Sequence, residues 1–400
     1  MDTYAFEFAN MMVRWLHIIA GIAWIGSSFY FIWLDNSLDP PKPDSDAARR
    51  GVGGELWAVH GGGFYNPQKY TVSPPELPQK LHWFKWEAYT TWLSGTALLV
   101  LVYWLRAQAM MIDPNVALLT PAAAIGIGVA GMVGAWLVYD LLCRSPLGRN
   151  NALLGAVVFA LTILLTWTLT RWLGGRAAYI HVGSAIGTIM VANVFFVIIP
   201  GQKRMVAAMR AGQAPNPRDG ARGKQRSVHN NYFTLPVLFI MISNHYAATY
   251  HHPHNWAVLA LIGTAGVLIR HFFNLRYKGK LRWEFPAAGA ALLLFIGWWT
   301  APRVPELAPI QGEVTFNRVR QIVGEGCVAC HSPAPTFPGI NAPQGGVLLH
   351  TPGDILNNAQ RAFQQVVITR IMPLGNVTHM TDEERAVIAA WVKAGAKVEP

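Results

Sequence analysis

Long apolar runs alternate with polar loops over the first three quarters of the chain. The runs cover residues 11–34, 88–105, 121–143, 151–173, 178–200, 233–250, 255–273 and 283–301. A bilayer core of roughly 30 Å requires about 20 mostly apolar residues in a helix, which is close to the length of each run. The pattern therefore predicts an all-α polytopic membrane bundle of about eight transmembrane helices in residues 1–301.

The last quarter of the chain has a different pattern. A Pro-rich stretch at 302–311 predicts a linker, because proline favours extended backbone and donates no backbone hydrogen bond. Residues 312–400 contain no run of membrane length. Thr381 and Glu384 have the spacing of a capping box, which predicts that a last helix begins after Thr381. The prediction is a small soluble domain at 312–400.

One motif in this domain indicates its chemistry. Cys327, Cys330 and His331 form a C-x-x-C-H sequence, the attachment signature of c-type haem, and no second Cys/His pair with zinc spacing follows. His331 is then the proximal iron ligand, and a methionine is expected on the other side. Met372, in a predicted extended loop, is favoured over Met380, which directly precedes the last helix. We predict a class I-like cytochrome c domain with one covalent haem c.

Composition and charge support a membrane protein. The chain is 52% hydrophobic and 13% charged, with a net charge of +11. Lys and Arg concentrate in the odd-numbered loops, which the positive-inside rule places in the cytoplasm. Both termini are then periplasmic, in agreement with haem attachment, which occurs outside the bacterial inner membrane. The basic excess therefore indicates contact with membrane lipid, and nucleic acid is not an expected partner.

Several histidines lie inside the apolar runs, where an ionisable side chain is a functional candidate. His17, His181 and His245 are predicted at a similar depth, one to two helical turns below the periplasmic surface. Two interpretations are open: the three are iron ligands of one or two non-covalent b-type haems, or they hydrogen-bond across helices. His271 is predicted at the opposite end, as a ligand of a second cofactor, a contact of an anion or a contact of a lipid headgroup.

The first loop, residues 35–87, is long enough to require an explanation. It contains three consecutive glycines after His60, followed by aromatic residues interleaved with Lys and His. Glycines permit close backbone approach to a ligand, and aromatic rings with cations suit a flat anionic heterocycle. The alternative interpretation is an amphipathic segment that lies in the membrane interface.

Motifs spread over the chain resemble those of a known family, the bacterial membrane-bound urate oxidases, also called urate hydroxylases. The matching segments are WLH (15–17), WIGSS (24–28), HGGGFY (60–65), HNNY (229–232) and SNHY (243–246). The resemblance covers essentially the whole chain. It implies an eight-helix domain fused to a periplasmic cytochrome c.

The implied reaction is oxidation of urate to 5-hydroxyisourate in purine catabolism. Electrons would pass through haem to the fused cytochrome and then to the respiratory chain, by way of a periplasmic cytochrome c or a terminal oxidase. Candidate bases are His60, His82 and His229, because imidazole titrates near working pH. The candidate substrate-binding residues are Tyr65, Lys69, Lys85, Trp86, Arg226, Asn230 and Asn231.

Two other functions are compatible with the same motifs. The first is a non-catalytic membrane subunit that relays quinol electrons to an oxidase. The second is a transporter that carries a redox sensor. A relay has no use for the long aromatic first loop, so the enzyme is favoured.

Overall fold

The structure, a computed structural model, describes residues 3–71, 73–301, 306–340 and 342–398. It is 68% helix and 4% strand, which confirms the predicted all-α class. The first part comprises α1 (Thr3–Ser37), α2 (Asp46–Arg49), β1 (Val52–Glu55), β2 (Ala58–His60), β3 (Gly63–Tyr65), β4 (Gln68–Tyr70), α3 (Trp86–Leu99), α4 (Ala107–Met110), α5 (Pro121–Arg144), α6 (Asn151–Trp172), α7 (Gly175–Ala192) and α8 (Ile199–Arg210). The rest comprises α9 (Pro217–Ile242), α10 (Ala247–Tyr250), α11 (Asn255–Arg276), α12 (Glu284–Trp299), α13 (Phe316–Gly326), α14 (Pro352–Asn357), α15 (Ala359–Ala362) and α16 (Asp382–Lys393).

Within the described residues, five helices are long and apolar enough to cross a membrane. They lie at Tyr4–Ser37, Pro121–Arg144, Asn151–Trp172, Gly175–Arg210 and Asn255–Arg276. The fourth joins α7 to α8 through a π-helical turn, Asn193–Ile198. Of the three other predicted spans, two are shorter apolar helices: α3, extended by the π-helical turn Val100–Trp104, and α12, with 16 residues.

The predicted span 233–250 is wrong at its end. Helix α9 stops at Ile242, and a 3-10 turn at Ser243–His245 separates it from the short helix α10. The Ser243 hydroxyl donates to the Ile240 carbonyl at 2.7 Å, a local bond that competes with helical continuation. His245 is therefore in a turn and outside the helix.

Helix α7 is the centre of the bundle. Twelve of its 18 residues are buried, and it packs against α5, α6 and α9. Glycines allow these helices to approach closely: a Cβ at Gly183 would lie 2.4 Å from a methyl group of Ile240 on α9. The close packing brings polar side chains of α5, α7 and α9 within hydrogen-bonding distance.

The first loop folds into two small antiparallel sheets, β1 with β4 and β2 with β3. Gly61 and Gly62, with φ of +57° and +80°, form the two-residue turn of the β2–β3 hairpin. Two positive φ values in succession are the geometry for which such turns select glycine. The glycines after His60 therefore shape a hairpin turn, and the prediction that they approach a ligand is not supported.

The C-terminal segment has its own core. Phe316 on α13 packs against Trp391 on α16, within a cluster that also contains Val319, Val367 and Val387. The Thr381–Glu384 capping box is present and confirms the predicted start of the last helix. Residues 302–305 of the predicted linker lie outside the described residues.

Candidate active site

Helix α9 presents polar side chains to two neighbours. Asn230 donates to the Met190 carbonyl of α7 at 2.9 Å, whereas Asn231, rotated about 100° around the helix, accepts from Arg270 of α11. The HNNY motif therefore contributes to two separate clusters, called here the α5–α7 cluster and the α11 cluster.

The α5–α7 cluster is a closed network around a buried ion pair. Arg226 is 3% exposed, and its guanidinium lies 2.7 Å from the carboxylate of Asp140 on α5. The side chain of Asn193 accepts from Arg226 and donates to Asn230 Oδ1 at 2.9 Å. His229 completes the network through a bond of 2.8 Å to the hydroxyl of Tyr139.

This network contains three of the predicted site residues. The structure brings Arg226, His229 and Asn230 together as the sequence suggested. Asp140 pairs with the charge of Arg226, and Asn193 bonds to Asn230. A buried pair of this kind is costly to break, because the remaining charge is left unpaired. The catalytic and substrate-binding roles of the three residues stay predictions.

The α11 cluster also contains a buried arginine, but this arginine is not part of an ion pair in the described residues. Arg270 is 3% exposed, and no carboxylate lies within ion-pair distance of it in the part of the chain that the structure describes. Its Nε donates to Asn231 Oδ1 at 3.0 Å, and Asn274 donates to the same oxygen at 2.9 Å. The guanidinium carbon lies 3.8 Å from the centre of the Phe29 ring on α1.

Within the described parts of the chain, three buried polar atoms of this cluster have no hydrogen-bond partner. They are Arg270 Nη2, Asn231 Nδ2 and Asn274 Oδ1, two donors and one acceptor. Each such atom costs about 1–3 kcal/mol when it is left unpaired. A ligand that carries both hydrogen-bond acceptors and N–H donors would have complementary groups for these atoms.

A possible proton acceptor lies on the neighbouring stripe of the same two helices. The hydroxyl of Tyr232 is 2.7 Å from His271 Nδ1, and the imidazole packs edge-on against Phe285. Tyr232 and His271 directly follow Asn231 and Arg270 in the sequence. Among the described residues no group of three His, Cys, Asp or Glu could hold a metal ion, and the predicted role of His271 as a cofactor ligand stays a prediction.

The sequence analysis missed Phe29, Arg270 and Asn274 as members of a site. Arg270 carried a usable signal, because an arginine inside the apolar run 255–273 is a functional candidate by position alone. Asn274 and Phe29 carried none.

The first-loop residues lie away from both clusters. His60 is exposed near the hairpin turn, Tyr65 is 53% exposed, and His82 packs edge-on against Phe84. Lys69 forms an ion pair with Asp35, and burial, followed by nearby Lys224, lowers its pKa. Lys85 and Trp86 lie at the start of α3, where Lys85, Lys203 and Arg210 line a surface cleft of about 640 Å³.

The three histidines predicted at one depth do not converge. His17 Nδ1 lies 3.0 Å from the Thr91 carbonyl, and His181, fully buried, accepts from the Trp104 indole at 3.2 Å. Along α3 and its π-helical turn these partners are about 20 Å apart, at roughly 1.5 Å per residue. His245 is exposed. His17 and His181 are therefore too far apart to bind one iron together, and both are hydrogen-bonded across helices. A b-type haem held by another pair stays a prediction.

We expect His17→Ala to leave the haem content of the purified protein unchanged, because His17 is hydrogen-bonded to α3 and lies too far from His181 to share an iron with it. Acid-acetone extraction followed by pyridine haemochrome analysis measures extractable and covalent haem separately. Extractable haem that disappears in this variant would contradict the expectation.

The C-terminal segment fits a covalently attached haem. His331 Nδ1 is 3.0 Å from the Val347 carbonyl, so the Nδ1–H can donate and Nε2 is left for iron. Met380 is 5% exposed, and its methyl group packs on Gly326, whereas Met372 is only partly buried. Arg385, whose pKa is lowered by burial, holds the Met372 loop by donating to the Met372 carbonyl at 2.8 Å and to Asn376 at 3.1 Å.

Met372→Ala should therefore lose the sulfur-to-iron absorption band at the red end of the spectrum while the haem stays attached. Met380→Leu is the matched control, since it replaces a packed methionine by an isosteric apolar side chain and should keep the band. Loss of the band in the control and its retention in Met372→Ala would reverse the assignment.

Comparison with known proteins identifies a family for the first three quarters of the chain. A family model described as urate oxidase N-terminal matches residues 3–301, which include α1 to α12 and both faces of α9. No curated protein and no solved structure matches the chain. The match covers most of the chain, and the chain therefore belongs to the urate oxidase N-terminal family.

Proposed function

We propose that the protein is a membrane-bound urate oxidase that converts urate to 5-hydroxyisourate and delivers the electrons to a covalent haem c in residues 312–400. The observation that carries the proposal is the buried, uncompensated guanidinium of Arg270 beside two incompletely paired amides and the Phe29 ring. The family match supports urate as the substrate.

The membrane arrangement proposed is an eight-helix bundle in the bacterial inner membrane. Five helices have the required length, and α3, the apolar second half of α9 and α12 would complete the set. The basic odd-numbered loops support a cytoplasmic position for those loops. Urate would then reach the α11 cluster near the cytoplasmic end of α11, because Arg270 is six residues before the end of that helix.

The binding step follows from the unpaired atoms. Arg270 Nη2 and Asn231 Nδ2 donate to carbonyl oxygens of the urate monoanion, and Asn274 Oδ1 accepts one of its N–H groups. The Phe29 ring packs against the Arg270 guanidinium and would hold it in position for the anion. A charge-assisted hydrogen bond in a water-poor site is stronger than a neutral one, so the anion is preferred over neutral purines.

The reaction then removes two electrons and adds water. Urate and water give 5-hydroxyisourate, two protons and two electrons. His271, paired with Tyr232, is positioned to accept a proton, and Arg270 stabilises negative charge on the purine while the proton leaves. The haem, when attached, supplies the one-electron acceptor. The respiratory chain, through a periplasmic cytochrome c or a terminal oxidase, receives the electrons from it.

The test is anaerobic addition of urate to the purified protein. We expect the c-type haem bands to become reduced, and turnover to continue when an artificial acceptor replaces oxygen. Strict dependence on oxygen with stoichiometric peroxide would contradict the proposal. Reduction by a quinol analogue and none by urate would instead favour a quinol relay.

A further inference from the structure

The connection between α3 and α5 contacts the C-terminal segment at two glycines. A Cβ placed on Gly375 would lie 3.0 Å from the Ile112 carbonyl oxygen and 3.8 Å from the Cβ of Asp113. A Cβ placed on Gly339 would lie 3.8 Å from the Cβ of Arg106. Both glycines have positive φ, +60° and +80°, a conformation that most other residues avoid.

These two contacts come from two segments that neighbour the predicted haem-binding residues. Gly375 follows the ligand candidate Met372 by three residues. Gly339 belongs to the segment that folds against the attachment motif, since the Phe337 amide donates to the Ala329 carbonyl, between the two cysteines, at 3.0 Å. The part of the domain that faces the connection is therefore the part that would surround the haem.

The connection is also tied to the interior of the bundle. Met111 is fully buried, Ile112 is 5% exposed, and the Gly174 amide just before α7 donates to the Met111 carbonyl at 2.9 Å. Met111 and Ile112 pack in the same buried cluster as Tyr103, next to the α7 core. Arg106 anchors the other end, with its guanidinium carbon 4.2 Å from the Phe6 ring centre of α1.

We propose that the connection Arg106–Asp113 is the electron-transfer junction between the bundle and the c-type haem. The inference rests on the proposed function. The haem, when attached at Cys327, Cys330 and His331, would accept the two electrons of each urate one at a time and would pass each of them to the external acceptor. Tyr103 and Ile112 belong to one buried cluster, so the connection packs directly onto the bundle.

The first test is a cross-link that does not depend on activity. Asp113→Cys combined with Gly375→Cys places two Cβ atoms at 3.8 Å, close to the mean of roughly 3.8 Å in disulfides. Mild oxidation of the purified holoprotein should shift its mobility on a non-reducing gel, and a reductant should reverse the shift. The control is Asp113→Cys with Gly395→Cys, because Gly395 also has positive φ but no neighbour within 4 Å. Equal cross-linking in both proteins, or none in either, would overturn the junction.

The second test measures transfer itself. Ile112→Asp puts a charge in the junction and should weaken the contact between the C-terminal domain and the bundle. We expect haem reduction by urate to slow roughly tenfold or more, because a small change in free energy is enough to lower the fraction of molecules in contact tenfold. Ascorbate should reduce the same haem at an unchanged rate. Leu118→Asp is the matched control, because Leu118 also lies between α3 and α5, but outside the junction Arg106–Asp113, and is 88% exposed. Gly375→Asn, which tolerates positive φ, serves if Ile112→Asp does not fold.

The outcomes separate the two proposals. Equal rates in Ile112→Asp, Gly375→Asn and Leu118→Asp would overturn the junction even if urate reduces the haem. If urate does not reduce the haem of the unaltered protein, the proposed function fails, and the cross-link still decides whether the domains meet at this connection.

Discussion

Arg270→Gln should lower kcat/KM for urate by about two to three orders of magnitude. Truncating one partner of a buried, charged hydrogen-bonded contact costs about 2–5 kcal/mol, and each 1.4 kcal/mol is about a factor of ten. The fold should survive, since no carboxylate within ion-pair distance is left without its partner in the described residues. Steady-state kinetics with an artificial acceptor gives the effect, and thermal unfolding gives the stability.

Arg276→Gln is the matched control for this prediction. Arg276 lies on the same helix but is exposed, so its substitution should change neither kinetics nor stability appreciably. Asn231→Leu should weaken urate binding as Arg270→Gln does, because the two side chains belong to one cluster. Wild-type kinetics in Arg270→Gln would remove the α11 cluster as the substrate site.

Arg226→Gln should strongly lower the stability of the protein, whereas Arg270→Gln should mainly lower its activity. Removing one member of a buried ion pair costs about 3–5 kcal/mol, because the remaining charge is uncompensated. Asp140 keeps only its contact with Arg144 at 2.6 Å, an arginine that is largely exposed. The unfolding midpoint of the detergent-solubilised protein should therefore fall well below that of Arg270→Gln.

The double variant Arg226→Gln/Asp140→Asn distinguishes charge from packing. If the loss comes from an uncompensated carboxylate, the double variant should be more stable than Arg226→Gln alone. Folded protein of either variant should still bind urate at the α11 cluster. A stable Arg226→Gln protein with no affinity for urate would mean that the α5–α7 cluster is the substrate site.

The relation between the two arginines shows where sequence reasoning stops. Arg226 lies beside the HNNY motif, which makes it a predicted substrate-binding residue. Arg270 lies in an apolar run, and no matching motif includes it. The difference between them depends on Asp140, which is 86 residues before Arg226 in the chain. A sequence pattern along one helix cannot show which helix supplies the partner.

The three histidines of the apolar runs show a related limit. Position in an apolar run gives an approximate depth, but it does not give the direction in which a helix turns its side chains. His17 points to α3, and His181 lies against Gly128 of α5 and bonds to Trp104. The glycine run after His60 was ambiguous in another way, since positive φ serves a hairpin turn as well as a ligand loop.

Local and strongly periodic features were determined by the sequence itself. The helical class, the five membrane-length helices and the capping box at Thr381 depend on composition, on period and on contacts three or four residues apart. The tertiary structure alone decided that Arg226 is neutralised, that Arg270 is not, and that Asn231 and Asn274 are left with unpaired atoms. These properties depend on how α9 packs against α5, α7 and α11. A polar atom without a hydrogen-bond partner costs free energy only where the packing excludes water.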